Sequence, residues 1–203
     1  AQFRIKNVPI FYLPRLRLPD PTLERATGFL TPSIRTTSQL GTGFKIPYFI
    51  KIGDKRDLTV TPYLSSATRT LELRYRQAFA RGSIEFNGAA SQDTVLPGKE
   101  RGYLFGQGRF DLERDYVLEF DFEATSDDGY LSQYGYSGKD RLDSAVAVHR
   151  TKRDEYIRAG FVQYKTLRSS EDNATLPANV VDINFERRFF PAAIGGELFT
   201  SLN

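Results

Sequence analysis

The chain has 203 residues, 40% of them hydrophobic and 26% charged, with 28 Lys+Arg against 25 Asp+Glu for a formal net charge of +3. Cysteine is absent, which excludes disulfides, thiolate metal sites and cysteine nucleophiles. The charges are interspersed, with no basic block that would suggest nucleic acid, and no run approaches the roughly 18 to 20 apolar residues of a membrane helix.

Ala1-Gln2-Phe3-Arg4 offers neither a charged n-region nor an apolar h-region, and Met is absent throughout. The chain therefore reads as a piece of a longer polypeptide without a signal peptide of its own. The stretch NVPIFYLPRLRLPDP, residues 7 to 21, sets strand-type residues (Val8, Ile10, Phe11, Tyr12, Leu13) among Pro9, Pro14, Pro19 and Pro21. Each proline removes a backbone donor that a central strand cannot spare. The span 21–26 is too short and proline-bound for a helix, and no helix is expected elsewhere.

From there the dominant signal is period two, the signature of half-buried strands. Phe44, Ile46, Tyr48, Ile50 and Ile52 share one face. Leu58, Val60, Pro62 and Leu64 oppose Asp57, Thr59, Thr61 and Tyr63. Leu71, Leu73 and Tyr75 oppose Glu72, Arg74 and Arg76. Tyr116, Leu118, Phe120, Phe122 and Ala124 oppose Val117, Glu119, Asp121, Glu123 and Thr125. Leu142, Val146 and Val148 form a weaker face, and Val181, Ile183 and Phe185 oppose Asp182, Asn184 and Glu186. Turns fall at Gly53-Asp54 and Arg81-Gly82, with longer polar loops over 93–102, 126–139 and 169–177.

This pattern gives about ten or eleven strands of about ten residues each, where strands of soluble sandwiches run to about five or six. About nine to eleven residues is the length with which a tilted strand crosses a bilayer. The charged faces are too polar for a packed sandwich core and suit a wide, wet lumen or simple solvent. The expected fold class is all-β: an antiparallel meander of long strands, part of a very large transmembrane β-barrel. Tyr48, Phe49, Tyr63, Phe79, Tyr103, Phe105 and Tyr116 lie near strand ends, where they form either interfacial girdles or ordinary cross-strand pairs.

Catalytic chemistry is sparse. His149 is the single histidine, without cysteine partners for a metal and without a nucleophile elbow. Asp127-Asp128 sits in a Gly- and Ser-rich loop and reads as solvated turn residues. GTGF (41–44) and GQG (106–108) lack the following helix of a phosphate loop. Outward glycines at Gly106 and Gly108 would thin the lipid face locally. The chain is expected to be no enzyme, with no catalytic residue, metal or cofactor.

The residues that carry a family resemblance are now in view. VPIFYLPRLRLP followed by RATGFLTPSI (25–34), then FKIPYFIKIGDKRDLTVTPYLSS (44–66) and SDDGYLSQYGYS (126–137), resemble the LPS-assembly outer-membrane protein family, LptD (OstA). The first 66 residues carry the most specific match. The resemblance implies a periplasmic jellyroll followed by a barrel of about 26 strands, which inserts lipopolysaccharide (LPS) into the outer leaflet of the bacterial outer membrane. The partners it implies are LPS itself, a plug lipoprotein (LptE), a periplasmic LPS-bridge protein (LptA) and outer-membrane lipids; nucleic acid is not among them. Residues 1–21 would be the last jellyroll strand (3–13) and a proline-rich connector (14–21). Residues 22–203 would be the N-terminal portion of the barrel, with its first strand at 27–38.

In that family the lateral exit lies at the first strand. The resemblance points to Pro14, Pro19, Gly28, Phe29, Pro32 and Pro47 as the gate or seam. Arg35, Lys45, Lys51, Arg74 and Arg76 are candidate LPS-contacting lumen residues. The cysteines frequent in the family are missing here. A generic porin or channel barrel is the alternative reading; an outer-membrane lipase and a soluble β-sandwich fit less well.

Overall fold

The structure, a computed structural model, describes residues 2–5, 8–12, 26–176, 178–193 and 195–203. Strands β1 (Gln2–Ile5) and β2 (Val8–Tyr12) pair antiparallel as a separate two-stranded sheet, with a register shift between Phe3 and Arg4. The single strand expected over 3–13 is thus two strands, with Pro9 inside the second. Pro14, Pro19 and the rest of 13–25 lie outside the described residues.

All other strands form one 13-stranded antiparallel sheet. In chain order they are β3 (Gly28–Phe29), β4 (Ser33–Thr37), β5 (Gly41–Lys45) and β6 (Tyr48–Lys51). Then come β7 (Arg56–Ser65), β8 (Thr68–Phe79), β9 (Gly82–Asp93) and β10 (Glu100–Asp111). The last are β11 (Tyr116–Thr125), β12 (Arg141–Thr151), β13 (Glu155–Thr166), β14 (Asn179–Phe189) and β15 (Leu198–Leu202). From β7 to β14 each strand pairs with its sequence neighbours, and β4 stands at one end of the path. The eight strands β7 to β14 have 10 to 12 residues each, the length the alternation predicts.

The registers keep the two faces separate. Leu71 lies across from Ala90, Leu73 from Gly88 and Tyr75 from Phe86, while Glu72 meets Ala89 and Arg76 meets Glu85. Because side chains alternate along a strand, this register repeats one apolar and one polar face from strand to strand. The apolar face is uncovered: Phe29 is 75% exposed, Ile34 67% and Val181 69%. A soluble monomer seldom leaves so extended an apolar surface bare.

The buried core lies on the opposite, polar face. It is made of Leu40, Tyr63, Tyr130, Leu131, Tyr134 and Leu142, brought together by the connection between β11 and β12. That connection carries a short helix, α1 (Tyr130–Tyr134), where the sequence reads as an irregular loop. A single 3-10 turn, Glu113–Asp115, with Arg114 and Asp115 at positive φ, links β10 to β11. These two short pieces correct the expectation of no helix. Both are too brief to show a 3.6-residue period, and α1 is held by packing rather than propensity.

The strand-end aromatics, left open between girdle and cross-strand packing, include three that pack inward: Tyr63 is 1% exposed beneath the α1 tyrosines, and Tyr103 and Phe105 pack against the same cluster. One further expectation is corrected. Gly106 and Gly108 do face outward, but they leave no thin spot. A Cβ built on Gly106 would lie 2.5 Å from the Phe86 ring, and one on Gly108 2.3 Å from the Phe120 ring. The rings of the flanking strands fill the space that the missing side chains leave.

Candidate functional site

The first barrel strand expected over 27–38 is broken. β3 pairs with β6 through Gly28–Phe49 and Phe29–Tyr48, and β4 pairs with β5 through Ser33–Lys45 and Ile34–Phe44. Between them Leu30–Pro32 stand opposite Ile46–Pro47, three residues against two, which is a one-residue bulge. Pro32 and Pro47 thus sit between strand segments rather than inside unbroken strands.

The backbone bonds show what the prolines remove. Leu30 N–H donates to the Pro47 carbonyl at 2.9 Å, and Ile46 N–H donates to the Pro62 carbonyl at 3.2 Å. In an antiparallel ladder a hydrogen-bonded pair exchanges two bonds. Pro47 cannot return one to Leu30, and Pro62 cannot return one to Ile46, because neither has an N–H. Pro47 and Pro62 therefore leave two successive rungs one bond short, and Pro32 stands in line with them in the bulge between β3 and β4. The sequence marks Pro62 only as a member of an apolar face; its ladder role appears once its partner is known. Phe29 covers the break from the apolar side, its ring edge-on to Tyr48 at 4.8 Å.

The polar face carries a lattice of cations and carboxylates. Arg76 donates two bonds to Asp57, at 2.9 and 3.0 Å, and Arg74 two to Glu85, at 2.9 and 3.3 Å. Lys51 pairs with Asp54 at 2.8 Å in the following turn. Lys45 pairs with Glu72 and lies over the rings of Tyr63 and Tyr136, at 5.1 and 5.4 Å from their centroids. Arg35 on β4 has no carboxylate partner among the described residues and reaches Gly135 instead. His149 stands on the same face, 4.0 Å from the Glu119 carboxylate. A cavity of about 710 Å³ opens at the end of this face nearest the short turns, with Arg76, Glu85, Arg109, Glu119 and Arg158 in its wall.

At the other end the α1 connection is bonded to the sheet. Arg101, with its side chain 1% exposed, donates to Asp127 twice, at 2.9 and 2.7 Å, to Asp93 at 2.9 Å and to Gln133 at 2.7 Å. Tyr134 donates to Asp93 at 2.8 Å, and Tyr136 to Glu72 at 2.6 Å. The Arg101 bonds hold the Asp127 carboxyl below the usual range. Burial pushes the phenols of Tyr130, Tyr134 and Tyr136 up, and Glu72 adds to the effect at Tyr136. Sequence reading placed three tyrosines in this loop but gave no sign that they dock.

Long antiparallel strands in a meander, one face apolar and bare and the other charged, define the class of outer-membrane-type β-proteins. Within it, residues 99–195 match the family model "LPS transport system D". This stretch lies downstream of the proline motifs and shares only SDDGYLSQYGYS (126–137) with the residues that carry the resemblance. The chain is 31% identical over 172 residues to the LPS-assembly protein LptD of Shewanella sp. (strain MR-4), covering 81% of this chain and 20% of the relative. It is 29% identical over 147 residues to LptD of Idiomarina loihiensis, 71% of this chain and 19% of that one. With LptD of Photobacterium profundum the identity is 42% over 88 residues, 42% of this chain and 11% of the relative.

The chain belongs to the LptD family, and it spans about a fifth of the length of the first two relatives. All three relatives are named as assembly proteins, in keeping with the non-enzymatic reading.

Proposed function

We propose that the parent protein inserts LPS into the outer leaflet of the bacterial outer membrane, and that residues 22–203 are the first part of its barrel. The apolar face meets outer-membrane lipid and the charged face lines the lumen. Closing the sheet into a barrel would satisfy its open edge, as a lipid environment requires. Residues 1–21 end the periplasmic domain and lead into the barrel. The partners are those implied by the family resemblance: LPS, a plug lipoprotein (LptE) and a periplasmic LPS-bridge protein (LptA).

The observation that carries this reading is the line of Pro32, Pro47 and Pro62 beside the end of the sheet. An edge that lacks ladder bonds opens at lower cost than the rest of the wall, at about 1 kcal/mol for each bond missing. Lipid A would leave there, past Gly28 and Phe29, while the sugars stay on the charged face. Of the candidate cations, Arg35 is the best placed to meet LPS phosphate, because Lys45, Lys51, Arg74 and Arg76 already hold carboxylates.

Depletion of the parent gene tests the reading. Newly made LPS should accumulate inside the cell while surface labelling by an LPS-specific probe falls. Unchanged surface LPS would overturn it in favour of a generic porin or channel.

A further inference from the structure

We infer that segment 126–140 is a strap that clamps one half of the edge hairpin, leaving the half beyond the proline line free to move on its own. The strap leaves β11 and crosses the polar face toward the edge of the sheet. Its contacts fall in sequence across the strands. Tyr130 meets Ser91 on β9 at 2.5 Å, and Tyr134 meets Thr68 on β8 at 2.7 Å. Tyr136 bonds Glu72 on β8, which also holds Lys45 of β5. Gly135, at φ +56°, lies against the guanidinium that Arg35 extends from β4, so that a Cβ there would lie 2.3 Å from an Arg35 Nη. Leu40, in the β4–β5 turn, is fully buried in the same cluster, and its carbonyl accepts a bond from Ser65 at 2.6 Å.

The other half of the hairpin has no such anchor among the described residues. β3 and β6 are held to the sheet by their ladder bonds, by the Phe29–Tyr48 ring contact, and by Lys51 N–H donating to Thr27 Oγ1 at 2.9 Å. The two halves join through Leu30–Pro32 and Ile46–Pro47, where the ladder is short of bonds. A clamp on one side of a weakened line, with none on the other, makes that line a hinge. The inference concerns the edge alone and does not need the LPS reading. Only its consequence, that a lateral exit opens in the β3–β6 half, rests on that reading.

Amide hydrogen exchange of the full-length protein, followed by mass spectrometry, tests the strap. In the unaltered protein, peptides from 33–45 should exchange more slowly than those from 28–30 and 48–51. Tyr136→Phe removes the bond to Glu72 and keeps the ring. It should speed exchange in 33–45 by about ten-fold, the equivalent of one hydrogen bond to a charged group, and leave 48–51 within about two-fold. Gly135→Ala should act in the same direction. If that variant fails to fold, Tyr136→Phe decides. Equal exchange in both halves of the unaltered protein, or a variant that moves both halves equally or neither, would overturn the inference. Surface LPS is measured separately, so a failed strap and a failed transport reading give different results.

Discussion

Replacing Pro47 with alanine restores one donor at the rung that Leu30 and residue 47 share. Leu30 already donates to residue 47, so the restored N–H has the Leu30 carbonyl as its partner, completing the pair. One such bond is worth about 1 kcal/mol net, which lowers the fraction of time the edge is open by a factor of about five. Pro62→Ala does the same for Ile46 one strand further in, and the two together should approach a thirty-fold effect if they add. The appropriate assay is the rate at which pulse-labelled LPS reaches the surface, read beside exchange at Leu30 and Ile46, since overall unfolding also responds to proline removal through the unfolded chain. Slower appearance of LPS with slower local exchange is expected, in the order double variant, then singles, then the unaltered protein. Slower exchange with an unchanged LPS rate would refute the link between the proline line and exit. Unchanged exchange would refute the ladder reasoning itself.

Arg101→Met should cost about 3 to 5 kcal/mol, because it strands the buried Asp93 carboxylate without its cation; Arg101→Lys should fall between, as a lysine cannot form the fork to Asp127. Denaturant midpoints of the full-length protein would measure both, and a Met variant as stable as the unaltered protein would contradict the assignment. The strap should also respond to pH in a defined direction. Its buried phenols have raised pKa values, so their contribution is complete below the unfolded value of about 10 and is lost as pH rises beyond it. The lowered Asp127 carboxyl works the other way, contributing fully above about pH 4 and losing that contribution as pH falls from there through its folded value. Phenolate absorbance should show tyrosines that resist ionisation at about pH 10, and ordinary titration of all of them would remove the basis for the docked cluster. Gly108→Ala should destabilise by about 1 to 3 kcal/mol through the Phe120 ring, with partial recovery in the double variant Gly108→Ala/Phe120→Leu.

The strands were legible because alternation is local: Tyr116 to Thr125 announces both faces of β11 without reference to any neighbour. The resemblance implied one strand over 3–13, where Gln2–Ile5 and Val8–Tyr12 are two strands paired with each other. Local logic missed α1, whose five residues become helical only because Tyr130, Leu131 and Tyr134 are buried against other strands. Among the site residues, sequence supplied the positions of Pro32 and Pro47 but not the direction in which their missing donors point.

The sequence by itself therefore determined the two-faced meander, the strand lengths and the places where the backbone cannot donate. These follow from side-chain period and proline chemistry, both properties of adjacent residues. Only the tertiary structure decided that Pro62 faces Ile46, that Lys45 is held by Glu72 and Arg76 by Asp57, and that the 126–140 loop reaches Arg35 across the sheet. Each of these depends on strand register or on contacts between residues far apart in the chain, which no local pattern encodes.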